Sequence, residues 1–185
     1  MRPAQLVEAL LFSSARPVDR KTLAAATGLG AAEVEDALSE LAMRYSPERS
    51  GVVLREVAGG YQLATNPSCA AAVERLRGEA RPAPLSAAAH EVLACVLYLG
   101  PLTRGAISRV RGVNSDAVVR TLIERGLLVE RGTSGEGAGS AALLDVTEEF
   151  LVAAGASSRE DFPPLESLVR EEELERVRER ILRGD

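Results

Sequence analysis

The fold is decided by a stretch of sequence that occurs twice. Residues 101–122 read PLTRGAISRVRGVNSDAVVRTL, and residues 17–38, which lie 84 positions earlier, read PVDRKTLAAATGLGAAEVEDAL. Aligned without a gap, both stretches begin with proline, and Gly28 coincides with Gly112. Because glycine at this position ends a helix in the left-handed conformation, the coincidence predicts the same helix–turn–helix in both places. We interpret the two stretches as a structural duplication.

The residues around the first stretch predict three helices followed by a β-hairpin. Apolar side chains recur at the three- and four-residue spacing of amphipathic helices, and the third of these helices ends near Tyr45. Asp19 is the expected N-cap of the second helix, and Leu23 is its expected buried anchor. From Val52 onward the period changes to alternation on either side of the turn at 58–60, which indicates a hairpin.

The same order restarts after a proline-rich linker at residues 81–84. Ser86 is the expected cap of a further helix, and the second copy of the duplicated stretch supplies two more. Strands are predicted at 127–129 and 141–146, and the loop between them holds four glycines. Three helices followed by a two-stranded hairpin are typical of the winged helix, in which the hairpin is the wing.

These elements predict a mainly α fold with small β-hairpins, organised as tandem winged-helix domains. The expected N-terminal winged-helix domain covers residues 1–80, the linker 81–84, and the C-terminal winged-helix domain 85–156. Residues 157–185 form a charged tail, for which a partner-seeking helix and a partly disordered end stay open as alternatives.

Composition and charge exclude several classes of protein. The 185 residues carry 27 acidic and 22 basic side chains, a net charge of −5, and no segment forms a basic arm. Strong autonomous nucleic-acid binding is therefore not favoured. No apolar run approaches the roughly 18 residues of a membrane span and the N-terminus does not resemble a secretory signal, so we expect a cytoplasmic protein without membrane contact. Cys69 and Cys95 are expected to be reduced and buried.

The sequence contains no recognisable catalytic, cofactor or metal motif. The glycine-rich segment at 135–139 lacks the lysine of a phosphate-binding loop, and we expect it at the tip of a wing. His90 is the single histidine, and we expect it to face solvent or to cap a helix. The prediction is a protein that is not an enzyme and requires no cofactor.

The charge of the third helix in each unit bears on DNA recognition. In the first unit this helix carries four acidic residues between Glu33 and Glu40 against Arg44, so phosphates would repel it. In the second unit acidic and basic residues are balanced on the corresponding helix. Its arginines leave room for weak contact with a phosphate backbone, and a dimeric winged-helix DNA-binding transcriptional regulator stays the alternative function.

The densest group of polar residues runs from Arg111 to Asp116 and continues to Arg125. Gly112 is expected to end one helix, and Asn114 or Ser115 to cap the next. Capping alone does not account for all the polar side chains that crowd this turn. The turn is therefore the strongest candidate for a partner-binding site.

With the two units placed, the sequence resembles the bacterial segregation and condensation protein B (ScpB) family. The resemblance rests on motifs that follow the order of the family: LVEALLF at 6–12, LREVAGGYQL at 54–63, PLTR at 101–104, RGVNSD at 111–116, RTLIERGL at 120–127, TEEFL at 147–151 and FPPL at 162–165. Together these motifs extend over about residues 4–165.

The resemblance implies a non-enzymatic accessory subunit of the bacterial condensin-like complex, which is built on a structural-maintenance-of-chromosomes (SMC) ATPase. It implies a homodimer, joined largely through the N-terminal units, that binds the kleisin subunit (ScpA) for chromosome condensation and segregation. The SMC ATPase would be reached indirectly, through the kleisin. The implied location is cytoplasmic and nucleoid-associated, with weak or indirect DNA contact.

Two sets of residues are expected to serve these contacts. An acidic helix–turn–helix that is unsuited to phosphate still offers a groove for an amphipathic partner helix. Residues expected at or near the kleisin-binding surface are Asn114, Ser115, Asp116, Arg120 and Arg125. Leu6 and Leu10 face either the core or the dimer contact, and the sequence leaves both alternatives open.

Overall fold

The structure, a computed structural model, describes residues 2–78, 83–135 and 140–182, without the side chains at 171, 173, 178 and 180–182. The chain divides into two compact units. The first comprises Met1–Pro82 together with Gly155–Ser158, and the second comprises Ala83–Ala154 together with Arg159–Asp185.

The first unit has three helices followed by an antiparallel hairpin, as the sequence predicts. Its elements in chain order are α1 (Pro3–Ser13), α2 (Arg20–Thr27), α3 (Ala31–Arg44), β1 (Val52–Val57), β2 (Gly60–Thr65), a 3₁₀ turn (Pro67–Cys69) and α4 (Ala70–Arg77). The register of the hairpin places Val52 opposite Thr65 and Val57 opposite Gly60. The buried core between α1, α2, α3 and β2 consists of Ala4, Val7, Leu11, Leu23, Val34, Ala37, Leu38, Leu41 and Tyr61.

Local sequence signals account for the position of α2. The Asp19 carboxylate accepts a hydrogen bond of 2.8 Å from the backbone N–H of Thr22, and this bond also lowers the pKa of Asp19. Gly28 ends the helix with a φ of 73°, and Leu23 is fully buried. The predicted cap, anchor and end of α2 are confirmed.

The second unit repeats this order and adds further helices. Its elements are α5 (Ala87–Leu99), β3 (Leu102–Thr103), α6 (Arg104–Arg111), α7 (Asp116–Glu124), β4 (Leu128–Ser134), β5 (Ala141–Val146), α8 (Glu148–Ala154), a 3₁₀ turn (Arg159–Asp161), α9 (Leu165–Leu168) and α10 (Glu171–Leu182). The strands form one antiparallel sheet in the order β3-β5-β4. Its core is centred on the fully buried side chains of Val92, Val96, Ile107, Val119, Leu122 and Leu144.

A short strand before α6 is present that the sequence analysis does not predict. In β3, Leu102 pairs with Leu144. The aligned residue of the first unit, Val18, forms an isolated β-bridge with Tyr61 through two backbone hydrogen bonds of 2.9 Å. Two residues are too few to show an alternating pattern, so this element could not be predicted from periodicity. Its presence in both units supports the duplication, as do the aligned ends of α2 and α6.

Two segments are placed differently from the expected domain boundaries. Gly155–Ser158 belongs to the first unit, because the backbone N–H of Ala58 donates to Ala156 O (2.9 Å) and Ser157 Oγ donates to Glu56 O (3.0 Å). The charged tail is not a separate region, because α10 packs against α6 and buries Leu174. Residues 81 and 82 of the expected linker lie outside the described residues.

Two smaller expectations need correction, and a third falls outside the described residues. β4 continues to Ser134, beyond the predicted end at 129, with an irregular register between Glu130 and Thr133. The glycine-rich loop at 136–139 lies outside the described residues. Cys69 and Cys95 are free thiols, but both are only partly buried.

Candidate protein-binding surface

The polar turn between α6 and α7 is held by a buried arginine. Gly112 ends α6 with a φ of 73°, as predicted. Arg111, whose side chain is 9% exposed, donates from Nη1 to Ser115 Oγ (2.7 Å) and from Nη2 and Nε to Glu91 Oε2 (2.8 and 3.0 Å). Arg111 therefore joins the turn to α5, and part of the polar cluster is structural.

The sequence leaves open whether Asn114 or Ser115 caps α7, and the structure gives the side-chain cap to Asn114. Asn114 Oδ1 accepts from the backbone N–H of Asp116 (2.9 Å), so its side chain caps the start of α7. Ser115 is 1% exposed, and its backbone N–H donates to Ser108 Oγ (3.1 Å) while its hydroxyl donates to Val113 O (3.1 Å). Because Ser115 is buried and fully hydrogen-bonded, it stabilises the turn and is not itself available to a partner.

The exposed part of the predicted set lies along α7. Arg120 is exposed, and within the described part of the chain its guanidinium has no hydrogen-bond or salt-bridge partner. Arg125 is also exposed and donates from Nη2 to Ala83 O (2.6 Å). Asp116 is exposed at the first turn of the helix. These three side chains are available to a partner.

An apolar groove runs beside α7, and Arg125 is the one lining residue that the sequence analysis proposes for partner binding. The groove has a volume of about 320 Å³ and is lined by Pro84, Leu85, Ser86, Ala89, Ala117, Val118, Thr121 and Arg125. Val118 aligns with the buried Val34 of the first unit, yet it is only half-buried, while the next residue, Val119, is fully buried. Val118 still packs against the core, and its alignment with a buried valine conceals its partial exposure, so the sequence offered no signal for this groove.

Several basic residues on helices other than α7 form ion pairs within the chain. On the first unit, Arg20 pairs with Glu35 (2.9 Å) and Glu56 (3.2 Å), and Arg44 pairs with Glu8 (2.7 Å) and Glu40 (2.8 Å). On the second unit, Arg104 pairs with Glu130 of β4 at 2.8 Å. These ion pairs reduce the positive charge that phosphates could meet.

The two leucines of α1, for which the sequence leaves open the core or the dimer contact, are neither fully buried nor fully exposed. Leu6 and Leu10 are both half-buried, and Leu10 packs against the core. Phe12 is 85% exposed at the end of the same helix, and Met43 of α3 is 72% exposed. The sequence analysis does not identify Phe12 as a surface residue, because a phenylalanine in an apolar run is more often buried.

The pKa shifts in this chain are explained by burial and by hydrogen bonds within the fold. Burial raises the pKa of Tyr61 to about 12, with Glu56 adding to the shift, and Arg20 lies 4.7 Å from its ring centre. Tyr45 donates a short hydrogen bond to Glu8, which raises the pKa of Tyr45. Burial raises the pKa of the Cys95 thiol. These groups belong to separate parts of the fold and form no common centre.

The described residues also carry no cluster suited to a metal ion. No group of three or more His, Cys, Asp or Glu side chains converges in them. His90 is exposed, and its Nδ1 lies 3.0 Å from Ser86 O. Within the same residues, no helix is both long and apolar enough to cross a bilayer.

The fold and this surface define a class: a protein of two helix–turn–helix units, with an apolar groove and unpaired arginine on one of them. The chain belongs to the family Segregation and condensation complex subunit ScpB, whose pattern it matches over residues 5–165. It is therefore a segregation and condensation subunit.

Individual relatives agree with this assignment. The chain is 39% identical over 170 residues to Segregation and condensation protein B of Moorella thermoacetica, covering 92% of this chain and 86% of the relative. It is 36% identical over 167 residues to the protein of the same name from Desulforamulus reducens, covering 90% and 91%. The crystal structure of ScpB from Mycobacterium tuberculosis is 38% identical, with a TM-score of 0.39 and coverage of 82% of this chain and 94% of that one. The family assignment rests on the sequence matches.

Proposed function

We propose that this subunit is a non-enzymatic homodimer that binds the kleisin subunit ScpA on the α7 surface of its second unit, and reaches the SMC ATPase only through the kleisin. In this proposal each unit is a winged helix, with β1–β2 and β4–β5 as the wings. The protein works in the cytoplasm at the nucleoid, and its direct contact with DNA is weak.

The observation that carries the proposal is the groove beside α7 together with the unpaired Arg120. An apolar groove with a charged rim suits an amphipathic helix, which buries its apolar face and places acidic residues against the rim. Arg120 does not have to break an internal ion pair before it binds a partner. A salt bridge with an acidic residue of the kleisin would therefore form without that loss of free energy. Thr121 lines the groove and is exposed, so a larger side chain at this position would block the apolar contact with the partner.

The second part of the proposal concerns dimerisation. Leu6 is half-buried without belonging to the packed core of the first unit, and Phe12 is almost fully exposed on the same helix. Apolar side chains left at the surface of a helix are typical of subunit contacts. We therefore assign Leu6 to the dimer contact, with Leu10 connecting that contact to the core.

Titration calorimetry of the purified chain with its kleisin tests the α7 surface. We expect Arg120→Glu and Thr121→Arg each to weaken kleisin binding about tenfold or more, because the first reverses a rim charge and the second fills the groove. The matched control is Arg75→Glu on α4, an exposed helical arginine of the first unit, which should leave the affinity unchanged. Wild-type affinity in both α7 variants would refute this binding surface.

A fluorescence anisotropy titration with duplex DNA separates the proposal from the alternative function. A DNA-binding regulator would bind tightly at low salt, and its affinity would fall steeply as salt increases. We expect feeble binding at physiological salt instead. Tight, sequence-selective binding by the isolated chain would overturn the proposed function.

A further inference from the structure

An apolar groove on the second unit, separate from the one beside α7, is covered by the end of the chain. Its floor is formed by Ala94, Cys95, Tyr98 and Leu99 of α5 with Val110 of α6, and its cover by Leu165, Val169, Leu174 and Val177. The four cover residues recur at helical spacing, three or four positions apart within each pair. The segment docks as two helices, α9 and α10, which are joined through Val169 in an extended conformation.

The cover is held by few side chains. Leu174 is 8% exposed, whereas Leu165, Val169 and Val177 are only half-buried. A groove volume of about 170 Å³ is left unfilled beside the cover, and Ala94 of the floor stays exposed, so floor and cover do not pack fully against each other.

The helix of the cover depends on docking for its own order. α10 has 12 residues, and isolated helices of this length are marginal in water. Release of the cover therefore returns the conformational entropy of the whole segment, which offsets the lost apolar contacts. A weakly packed cover whose folding is coupled to docking is poised to exchange.

We propose that residues 163–182 form an exchangeable arm, which covers its own groove in the isolated chain and docks in the same groove of a second copy when copies are held close together. Groove and arm are identical in every copy, so the contacts are the same in both arrangements. Only effective concentration favours the arm of the same chain. Exchange of an identical element between protomers is a low-cost route to association.

The position of Cys95 on the groove floor gives a direct measure of arm release. In a Cys69→Ser background, Cys95 is the single thiol, and its rate of reaction with a disulfide reagent reports on exposure of the groove. We expect Leu174→Asp to raise this rate about fivefold or more, because a carboxylate cannot remain in the apolar groove. Leu168→Asp is the matched control, since Leu168 lies on the same arm but is 53% exposed, and its rate should equal that of the Cys69→Ser parent.

A labelled peptide of residues 163–182 then tests docking between copies. Added to the full chain that carries Cys69→Ser and Leu174→Asp, the peptide should bind saturably and slow the reaction of Cys95 again. The same peptide with Leu174→Asp should do neither. Circular dichroism confirms that the variant chain is folded, and Val177→Ser replaces Leu174→Asp if it is not.

Two results would overturn the inference. Equal Cys95 rates in Leu174→Asp and Leu168→Asp would mean that the arm does not cover the groove. A raised rate without peptide binding would mean that the open groove does not accept the arm of a second copy. Neither result touches the proposed function, because the arm and its groove share no residue with the α7 surface or with α1.

Discussion

Arg111 offers the sharpest test of how the α6–α7 turn is built. Its guanidinium is nearly buried and contacts two acceptors of different kinds: the hydroxyl of Ser115, which is buried, and the carboxylate of Glu91, which is 61% exposed. Replacement by methionine keeps the apolar stem and removes the hydrogen bonds. We expect Arg111→Met to lower the free energy of unfolding of the second unit.

The size of the loss follows from the two contacts. A hydrogen bond between a charged donor and a buried acceptor contributes about 1.5–3 kcal/mol. The pair with Glu91 contributes about 0.2–1 kcal/mol, because the exposed carboxylate is rehydrated when the arginine is lost. Together these give a destabilisation of about 2–4 kcal/mol, a large part of the stability of a small domain.

A double-mutant cycle with Ser115→Ala isolates the buried contact. Unfolding in urea is followed by circular dichroism, and hydrogen exchange of peptides from α7 assigns the transition to the second unit. If Arg111 acts through Ser115, the two substitutions together cost about 1–2 kcal/mol less than the sum of the single ones. A coupling below about 0.3 kcal/mol would refute the role assigned to this contact.

Three further outcomes are expected. Leu6→Asp should convert the proposed homodimer to a monomer in sedimentation velocity. Gln5→Glu, which adds a carboxylate to an exposed position of α1, should leave it dimeric. An unchanged dimer in Leu6→Asp would remove Leu6 from the contact. Thr103→Ala should destabilise the second unit by about 1 kcal/mol in urea, because Thr103 Oγ1 accepts from the backbone N–H of Ala106 (3.1 Å) at the start of α6. For Tyr61, whose folded pKa of about 12 lies above the unfolded value near 10, the protonated form is favoured by folding, so its contribution to stability is complete below about pH 10 and is lost as the pH rises toward 12. Tyr61→Phe should flatten this decline, and an identical pH dependence in both proteins would contradict the assignment.

The sequence allowed prediction of the elements that depend on local signals. Gly28 and Gly112 end their helices with the same φ of 73°, and Asp19 caps α2, because turn and cap residues act on their immediate neighbours. The order of three helices and a hairpin in each unit followed from the same signals. The family resemblance was likewise confirmed by the match over residues 5–165.

What could not be predicted depends on contacts between distant residues. Arg111 and Glu91 are twenty positions apart, so the structural share of the polar turn was not visible in the sequence. Val118 is half-buried because α7 turns Val119 toward the core instead. The aligned Val34 is buried, so the alignment of the two units did not predict this difference in burial. The docking of α10 depends on a groove between α5 and α6, which exists only once both helices have packed.

The four residues Gly155–Ser158 have a consequence for synthesis of the chain. They complete the first unit, although the bulk of the second unit precedes them in the sequence. The amide of Ala58 at the hairpin turn therefore has no acceptor until Ala156, nearly a hundred residues later in the chain, has been synthesised. The unit whose translation begins first therefore stays incomplete while most of the second unit is being made, and a fragment cut at residue 82 would lack the piece that closes it.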